Sequence, residues 1–292
     1  MSQQSPPLRQ TIKKWTPRPI WNAASETRYA LNRAAQWPSA RFHPLRRESI
    51  RHLAEYENIH RGERCFIIGN GPSLKNTDMS RLKGEFTFGM NRIYLMFPEL
   101  GFTTTYYACI NSMVIEQCAQ DIRALPIPRF LSWRSHKLVA DKDRPCDKDR
   151  PCGEKFPGKL RDLIFLHTTY SGPGFTKDAR HRLWEGATVT YVTLQLAYYM
   201  GFEKVILIGV DHNYATKGKP NTTVVSQGDD PNHFNANYFG KGFQWQLPDL
   251  DTSERAYGMA RCAYEAGGRQ VVDATVGGKL TIFPKVDYDA LF

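Results

Sequence analysis

The chain has 292 residues, of which 41% are hydrophobic and 12% aromatic, and it carries a net charge of +10. This length and composition suit one large domain, or a core domain with an appendage. No apolar run approaches the roughly 18 residues of a transmembrane helix, and the first residues lack the apolar core of a signal peptide. We therefore expect a cytoplasmic protein without a membrane-spanning segment.

The positive charge is concentrated at the start of the chain. Residues 1–60 contain ten Lys or Arg and four Asp or Glu, which gives +6 of the total, and the remainder is nearly balanced. This distribution argues against a nucleic-acid groove across the core. It predicts a basic N-terminal arm at 1–60 and a nucleotide-binding domain at 61–292.

The arm carries three tryptophans, Trp15, Trp21 and Trp37, among prolines and arginines. Helices are predicted at 23–36 and 46–60. Two interpretations stay open. The arm packs on the core or on another copy in a homo-oligomer, or its basic and aromatic residues contact an anionic membrane surface, which would place the protein at the inner face of the cytoplasmic membrane.

A glycine-rich turn follows the first predicted strand, at 65–68. Its residues are Gly69, Asn70, Gly71, Pro72 and Ser73. The glycines let a ligand approach the backbone, and Ser73 can cap a helix whose free amides attract anions. A tight turn without a ligand remains an alternative, because these are ordinary turn residues. The turn is neither a Walker A loop nor a GxGxxG fingerprint, which disfavours ATP or NAD bound in those ways.

Asparagines follow the next two predicted strands. Asn91 comes after the strand at 85–90, and Asn111 comes after the strand at 103–110. Open α/β sheets bind ligands in a crevice outside the carboxyl ends of their strands. We therefore expect Asn70, Asn91 and Asn111 to flank one crevice.

Strands and helices alternate along the rest of the chain. The remaining elements are a helix at 113–123, strands at 128–133 and 163–167, a buried helix at 188–200, a strand at 205–210, a helix at 251–266 and a strand at 270–273. This alternation predicts an α/β, Rossmann-like, doubly wound and mainly parallel sheet with helices on both faces. A tandem repeat of DKDRPC at 141–152 is expected to form a surface loop.

Two polar segments lie in the second half of the chain. Asp211, His212 and Tyr214 come directly after the strand at 205–210. The polar loop at 215–248 is long enough to predict a functional lid, and its aromatic residues and His233 favour an ordered one. The six cysteines are scattered and are expected to be reduced. No metal-ligand cluster is apparent, so no metal site is predicted.

Four blocks of sequence carry a resemblance to a known family. They read IIGNGPSLKNTDMSRL from 67, MNRIY at 90–94, INS at 110–112 and GFEKVILIGVD at 201–211. In this order they resemble the bacterial sialyltransferases that use CMP-sialic acid on lipooligosaccharide. The region from about 62 to 292 looks closer still to a related bacterial domain. That domain also occurs in the motility accessory factors that glycosylate flagellin, and it is often labelled after archaeal 6-hydroxymethylpterin diphosphokinase.

The resemblance implies roles for particular residues. Nucleotide binding would fall to Gly69, Asn70, Gly71, Ser73, Asn91 and Asn111, and the family's Thr-Ser-Gly corresponds here to 188–190, with Thr188 and Thr190 as candidates. Tyr214 would assist the leaving phosphate. The family's catalytic histidine follows a Tyr-hydrophobic-Gly, and here Lys241 stands at that position. His233, slightly upstream, is the substitute that we name.

Glycosyl transfer requires a held nucleotide, a stabilised leaving phosphate and a deprotonated acceptor hydroxyl. His233 is the candidate base, and a loop residue that only forms hydrogen bonds is the alternative interpretation. His212 is the rival base. Asp211 orients a base, binds ribose or caps a turn, and these three roles stay open.

We therefore predict an inverting, metal-independent glycosyltransferase that needs no cofactor. It would transfer a sugar from a nucleotide donor, with CMP as the first candidate, to a surface polysaccharide or glycoconjugate. One alternative is a diphosphokinase of a pterin-like alcohol, which needs ATP and Mg²⁺ and would draw on Asp211, Asp229 and Asp230. The other is a non-catalytic nucleotide-binding protein, which Lys241 favours.

Overall fold

A computed structural model describes residues 34–140, 162–170, 174–216 and 218–292, together with 27, 30 and 31. The DKDRPC repeat, most of the helix predicted at 23–36, and Trp15 and Trp21 lie outside this part. The chain divides into two compact units, 1–43 and 44–292. Residues 44–60 of the predicted arm therefore belong to the larger unit.

The helices of the larger unit are α1 (Pro44–Glu55), α2 (Phe97–Leu100), α3 (Ser112–Gln117), α4 (Ala119–Ala124), α5 (His136–Ala140), α6 (Val189–Met200) and α7 (Leu250–Ala266). The strands are β1 (Arg64–Ile68), β2 (Phe86–Met90), β3 (Tyr106–Cys109), β4 (Arg129–Ser132), β5 (Leu163–Thr169), β6 (Arg182–Trp184), β7 (Lys204–Ile208), β8 (Thr223–Val225), β9 (Gln244–Gln246) and β10 (Gln270–Asp273).

Eight of these strands form one sheet in the order β10-β7-β1-β2-β3-β4-β5-β6, and every neighbouring pair is parallel. The chain builds outward from β1 to β6 and then returns to the other side of β1 for β7. The direction of winding therefore reverses between β1 and β7, which is where such sheets form a ligand crevice. The predicted Rossmann-like α/β fold is confirmed.

The central helix α6 explains how the sheet is covered. It packs against β1, β2 and β3 on one side and against α7 on another. Ten of its twelve residues are buried, which is why its sequence is apolar all round rather than on one stripe. Gly201 ends the helix in the left-handed conformation, with φ 98°.

Helix α1 shows why residues 44–60 belong to the larger unit. Leu53 is fully buried in the core. The Ser49 hydroxyl oxygen accepts a hydrogen bond from the backbone N–H of Phe165, on β5, at 3.0 Å. The N–H of Asn58 donates to the carbonyl oxygen of Tyr199, on α6, at 3.1 Å. These contacts join the segment to both the sheet and the central helix.

The structure differs from the sequence-based elements in three places. The helix predicted at 113–123 is two short helices, because Cys118 adopts φ −123°, outside the helical range. Strand β6 lies in a segment for which the sequence predicts no element, since three residues between turns give no periodic signal. The predicted lid at 215–248 contains the antiparallel pair β8 and β9.

Two smaller findings concern the described part of the chain alone. No helix there is both long and apolar enough to cross a bilayer. Cys65, Cys109 and Cys118 are free and buried, whereas Cys262 is free and exposed.

Candidate active site

A cleft opens at the carboxyl ends of β1 and β7, where the winding reverses. It encloses about 710 Å³, part of which is open to solvent. Its walls come from the turns after β1 and β7, the start of α6, the start of α7 and the lid, residues 215–248. The predicted site residues that line it are Gly69, Asn70, Gly71, Asn91, Thr188, Thr190, Asp211, His212, Tyr214 and His233. Pro72, Ser73 and Asn111 are not among the lining residues.

The Asp211 carboxylate links the turn after β7 to the turn after β1 by hydrogen bonds; we call this link the lock between the turns. The Asp211 side chain accepts hydrogen bonds from the N–H of Ser73 at 3.0 Å and from its hydroxyl at 2.7 Å. Asp211 thereby caps the 3₁₀-helix Pro72–Asn76 from across the cleft. Of the three roles left open for Asp211, the geometry assigns the capping role.

Glycine is required where this lock forms. The N–H of Gly71 donates to the carbonyl oxygen of Gly209 at 2.9 Å, and a Cβ on Gly71 would lie 1.7 Å from Asp211 Oδ2. A Cβ on Gly69 would lie 2.1 Å from the Gly209 oxygen. The glycines therefore permit the close approach of the two turns, which is a structural task independent of any ligand.

Asn70 lines the cleft and carries a buried side-chain acceptor without a partner. Its main-chain oxygen accepts a hydrogen bond from the N–H of Phe234 in the lid, at 2.9 Å. Its side-chain Oδ1 is buried and has no hydrogen-bond partner within the described part of the chain. A buried acceptor without a partner is costly, so a ligand amine or hydroxyl at this point would gain a hydrogen bond that the protein alone leaves unmade.

Asn91 and Asn111 have different surroundings. Asn91 lines the cleft with φ 51°, and its Oδ1 accepts a hydrogen bond from the Cys109 thiol at 3.3 Å. Asn111 instead caps α3, where its Oδ1 accepts from the N–H groups of Met113 and Val114. The expectation that three asparagines flank one crevice is met by Asn70 and Asn91 and not by Asn111, because the helix that follows Asn111 takes its side chain as a cap.

Backbone strain is concentrated around the cleft. Five described residues other than glycine have a positive φ, and three of them, Asn91, Ala187 and His212, line the cleft. Ala187 follows Gly186, which is also left-handed at φ 51°. Such conformations cost free energy and are typical of functional sites. The strain here aims the start of α6 and the turn after β7 into the cleft.

The N-terminus of α6 forms one wall. Thr188 is its N-cap, and its hydroxyl oxygen accepts a hydrogen bond from the N–H of Thr190 at 3.3 Å. Residues 188–190 line the cleft. The first turn of a helix carries free N–H groups and a partial positive charge. This wall therefore favours an anionic group, although Thr188 itself is already engaged in capping.

His233 is held by a carboxylate and by aromatic rings. Its Nδ1 lies 2.7 Å from Oδ2 of Asp230, whose side chain is only 4% exposed. The ring stacks on Tyr238 with centroids 3.9 Å apart and packs edge-on against Phe239. When Nδ1 donates its proton to the carboxylate, Nε2 is left as the proton acceptor. This is the arrangement that orients a histidine base.

The position held by histidine in the resembled family does not reach the cleft. Lys241 is exposed and does not line it. Tyr238 and Phe239, which lie three and two positions before it, are buried and pack against the His233 ring. In this structure Tyr238 and Phe239 therefore support the His233 ring.

Arg92 fastens the lid to the end of β2. Its guanidinium donates to the main-chain oxygens of Tyr238 and Asn237 and lies 4.6 Å from the centroid of the Phe243 ring. Its backbone N–H donates to the Tyr238 hydroxyl at 3.2 Å. Tyr238 therefore couples Arg92 to His233, and the lid is an ordered wall of the site.

Tyr214 and His212 occupy the turn after β7. Burial raises the pKa of Tyr214, and the neighbouring Tyr257 and Asp211 add to the effect. The phenol stays protonated at neutral pH, and its hydroxyl has no partner within the described residues, so it is available as a donor to a ligand. His212 Nε2 lies 2.8 Å from Oε1 of Glu254, on α7.

Sequence reasoning missed three contributors to this site. Asp230 was considered only as a magnesium ligand, although its spacing of three residues from His233 was a usable signal. Glu254 lies 42 residues from His212 in the chain, and nothing local links them. Arg92 directly follows Asn91, but no pattern pairs it with the lid.

No protein-family model matches this chain, and neither curated proteins nor solved structures provide a match. The resemblance to sialyltransferases therefore stays a prediction. Within the described residues, no group of three or more His, Cys, Asp or Glu side chains is arranged to hold a metal ion.

Proposed function

We propose that this protein is a glycosyltransferase that takes its sugar from a nucleotide donor, with CMP as the first nucleotide to test. One observation carries the proposal. A histidine oriented by a buried carboxylate, His233 with Asp230, lines the cleft at the reversal between β1 and β7. Open α/β sheets bind nucleotides at such a point, and an oriented histidine suits removal of a proton from a hydroxyl.

The cleft offers groups for each part of the donor. The N-terminus of α6 suits a phosphate. The free Oδ1 of Asn70 suits an amino or hydroxyl group of the nucleoside. Tyr214, kept protonated by its burial, donates a hydrogen bond to the oxygen that departs with the phosphate.

In the proposed reaction, His233 Nε2 takes the proton of an acceptor hydroxyl as that oxygen attacks the anomeric carbon of the donor. The new bond from oxygen to carbon forms while the bond from the anomeric carbon to the phosphate oxygen breaks. The electron pair of the broken bond leaves with the phosphate, next to Tyr214. A single displacement of this kind inverts the anomeric configuration. The acceptor that we propose is a surface polysaccharide or glycoconjugate.

The diphosphokinase alternative is less favoured. It needs carboxylates free to bind Mg²⁺, but Asp211 accepts two hydrogen bonds from Ser73, and Asp230 is paired with His233. The glycosyltransferase hypothesis uses these residues in the contacts that they already make, and we propose that it proceeds without a metal or cofactor.

Thermal unfolding in the presence of CMP, CDP, UDP, GDP or ATP tests the proposal. We expect a cytidine nucleotide to raise Tm without Mg²⁺, by several degrees at about 100-fold excess over its Kd. Release of CMP from a CMP-sugar in the presence of a glycan acceptor would then report turnover. A rise in Tm only with ATP and Mg²⁺ would favour the kinase. A nucleotide that binds but is never turned over would favour the non-catalytic alternative.

We also propose that the N-terminal unit contacts an anionic membrane surface, which places the protein at the inner face of the cytoplasmic membrane. Residues 1–43 hold seven Lys or Arg and one Glu. Leu31, Trp37 and Phe42 are 65%, 54% and 63% exposed, respectively, and the Trp37 and Phe42 rings form an edge-to-face pair. Exposed aromatic residues beside basic ones suit an anionic bilayer interface.

Sedimentation of the full chain with lipid vesicles tests this surface. We expect binding to phosphatidylglycerol vesicles and little binding to phosphatidylcholine vesicles. Replacing both Trp37 and Phe42 by Ser should weaken binding about tenfold or more, given the free energy gained by burying such side chains. Val276→Ser, at a residue that is also exposed but in the larger unit, is the matched control. Equal binding of both variants would remove the proposed surface.

A further inference from the structure

The proposed nucleotide cleft has an unusual charge balance. Among the described residues that line it there is no Lys or Arg, and His212 and His233 are the only side chains able to become cationic. The carboxylates of Asp211 and Asp249 also line it. A phosphate ester brings negative charge into this site, and the partial charge of one helix terminus is a modest counterpart.

The two histidines, His212 and His233, are held by different residues. His233 belongs to the lid, packs against aromatic rings and is paired with the buried Asp230. His212 belongs to the turn after β7, and its partner Glu254 comes from α7. The cleft therefore contains two separate pairs of a carboxylate and a histidine, and they need not perform the same task.

His212 is fixed in place. Its φ of 54° is left-handed, its side chain is 8% exposed, and Nε2 is 2.8 Å from Glu254 Oε1. With Nε2 bound to a carboxylate, Nδ1 is the ring nitrogen left for another partner. In the protonated ring both nitrogens donate hydrogen bonds.

Other titratable groups surround the turn that carries His212. Asp211 precedes it and is bound to Ser73, and Asp249 caps α7. Tyr214 is half-buried and Tyr257 is buried, desolvation raises the pKa of both phenols, and the Tyr257 ring lies 6.4 Å from the His212 ring. The phenols stay neutral near pH 7.

We propose that His212, held by Glu254, is the phosphate-binding cation of this cleft: its protonated ring donates a hydrogen bond from Nδ1 to the phosphate of the nucleotide. This inference rests on the proposed binding of a nucleotide in the cleft. It gives His212 a different task from the rival base predicted from the sequence, and it leaves proton removal to His233.

The inference has a definite pH signature. If the bound form requires a proton on His212, binding takes up a proton wherever the free ring is neutral. Affinity then falls as pH rises, by up to about tenfold per pH unit above the range in which the ring deprotonates. A nucleoside without phosphate should show no such dependence, because it does not contact the proposed cation.

Calorimetric titration across pH tests the inference. The probe is the methyl ester of CMP, whose phosphodiester keeps one negative charge throughout, and cytidine is the control ligand. For the unaltered protein we expect affinity for the ester to fall at least tenfold between about pH 6 and pH 9, with proton uptake visible as a dependence of the binding heat on the buffer. Cytidine affinity should stay level.

Two variants test whether the proton taken up on binding resides on His212. His212→Asn removes the charge with a residue that tolerates a left-handed backbone, and we expect weaker ester binding that no longer depends on pH. Glu254→Gln should weaken ester binding, because the ring loses the carboxylate that holds it in place. Lys241→Ala, at an exposed residue outside the cleft, is the matched control and should behave as the unaltered protein.

The outcomes are distinguishable. Ester binding that is independent of pH in the unaltered protein, or pH dependence that survives in His212→Asn, overturns the role of His212 while leaving the proposed function standing. If neither cytidine nor the ester binds, the nucleotide proposal fails. In that case sulfate, whose charge does not change in this pH range, tests the anion site at His212. A change in the NMR signals of the His212 ring on adding sulfate at about pH 6, absent at about pH 9, supports the site. No change at either pH overturns it.

Discussion

Replacing His233 by alanine is expected to lower turnover by roughly 10²–10⁴-fold, the contribution typical of a general base, while nucleotide affinity is retained. The reason is geometric. His233 is the cleft residue whose Nδ1 is engaged by a buried carboxylate, Asp230, and whose Nε2 is left free to accept a proton. The measurement is release of CMP from a CMP-sugar with an acceptor present, beside calorimetric binding of CMP.

Two further variants sharpen this test. Asp230→Asn keeps the size of the side chain but no longer favours the required tautomer, so turnover should fall nearly as far as in His233→Ala. Lys241→Ala replaces the residue at the position of the resembled family's histidine, is exposed and should leave turnover unchanged. Full turnover in His233→Ala would remove His233 as the base, and lost turnover in Lys241→Ala would return that role to the family's position.

Replacing Gly71 by alanine is expected to destabilise the larger unit by about 2–4 kcal/mol. A Cβ at this position would lie 1.7 Å from Asp211 Oδ2. The carboxylate must then withdraw, which strains the packed turns and breaks its two hydrogen bonds to Ser73. Overpacking and the loss of hydrogen bonds to a charged group each cost on the order of 1–3 kcal/mol.

A second glycine provides the control. Gly258 lies within α7, and a Cβ there would meet nothing within 4 Å. Gly258→Ala should therefore stabilise the protein by about 0.5–1 kcal/mol, because alanine suits a helix interior better than glycine. Urea unfolding of both variants measures the two effects. An unchanged free energy of unfolding in Gly71→Ala would show that the lock between the turns adds no stability.

The amino-acid sequence alone was enough to predict the local elements and the class of fold. The apolar run at 65–68 and the polar residues that follow it place a strand and a turn correctly, because burial on both faces leaves a continuous apolar signature. The apolar segment after Thr188 and the glycine at 201 likewise mark α6 with its cap and its end. The alternation of predicted strands and helices was enough to predict a parallel sheet.

Only the tertiary structure decided which polar residues form the site. Ser73 and Asp211 lie 138 residues apart in the chain, and Arg92 and Tyr238 lie 146 apart. Asn111 follows a strand, as Asn70 and Asn91 do, yet its side chain accepts hydrogen bonds from the N–H groups of the next helix and caps that helix. A local sequence pattern determines which contacts a residue makes within its own segment. Which segments meet depends on strand order and on the close approach of turns, and these follow from packing of the whole chain.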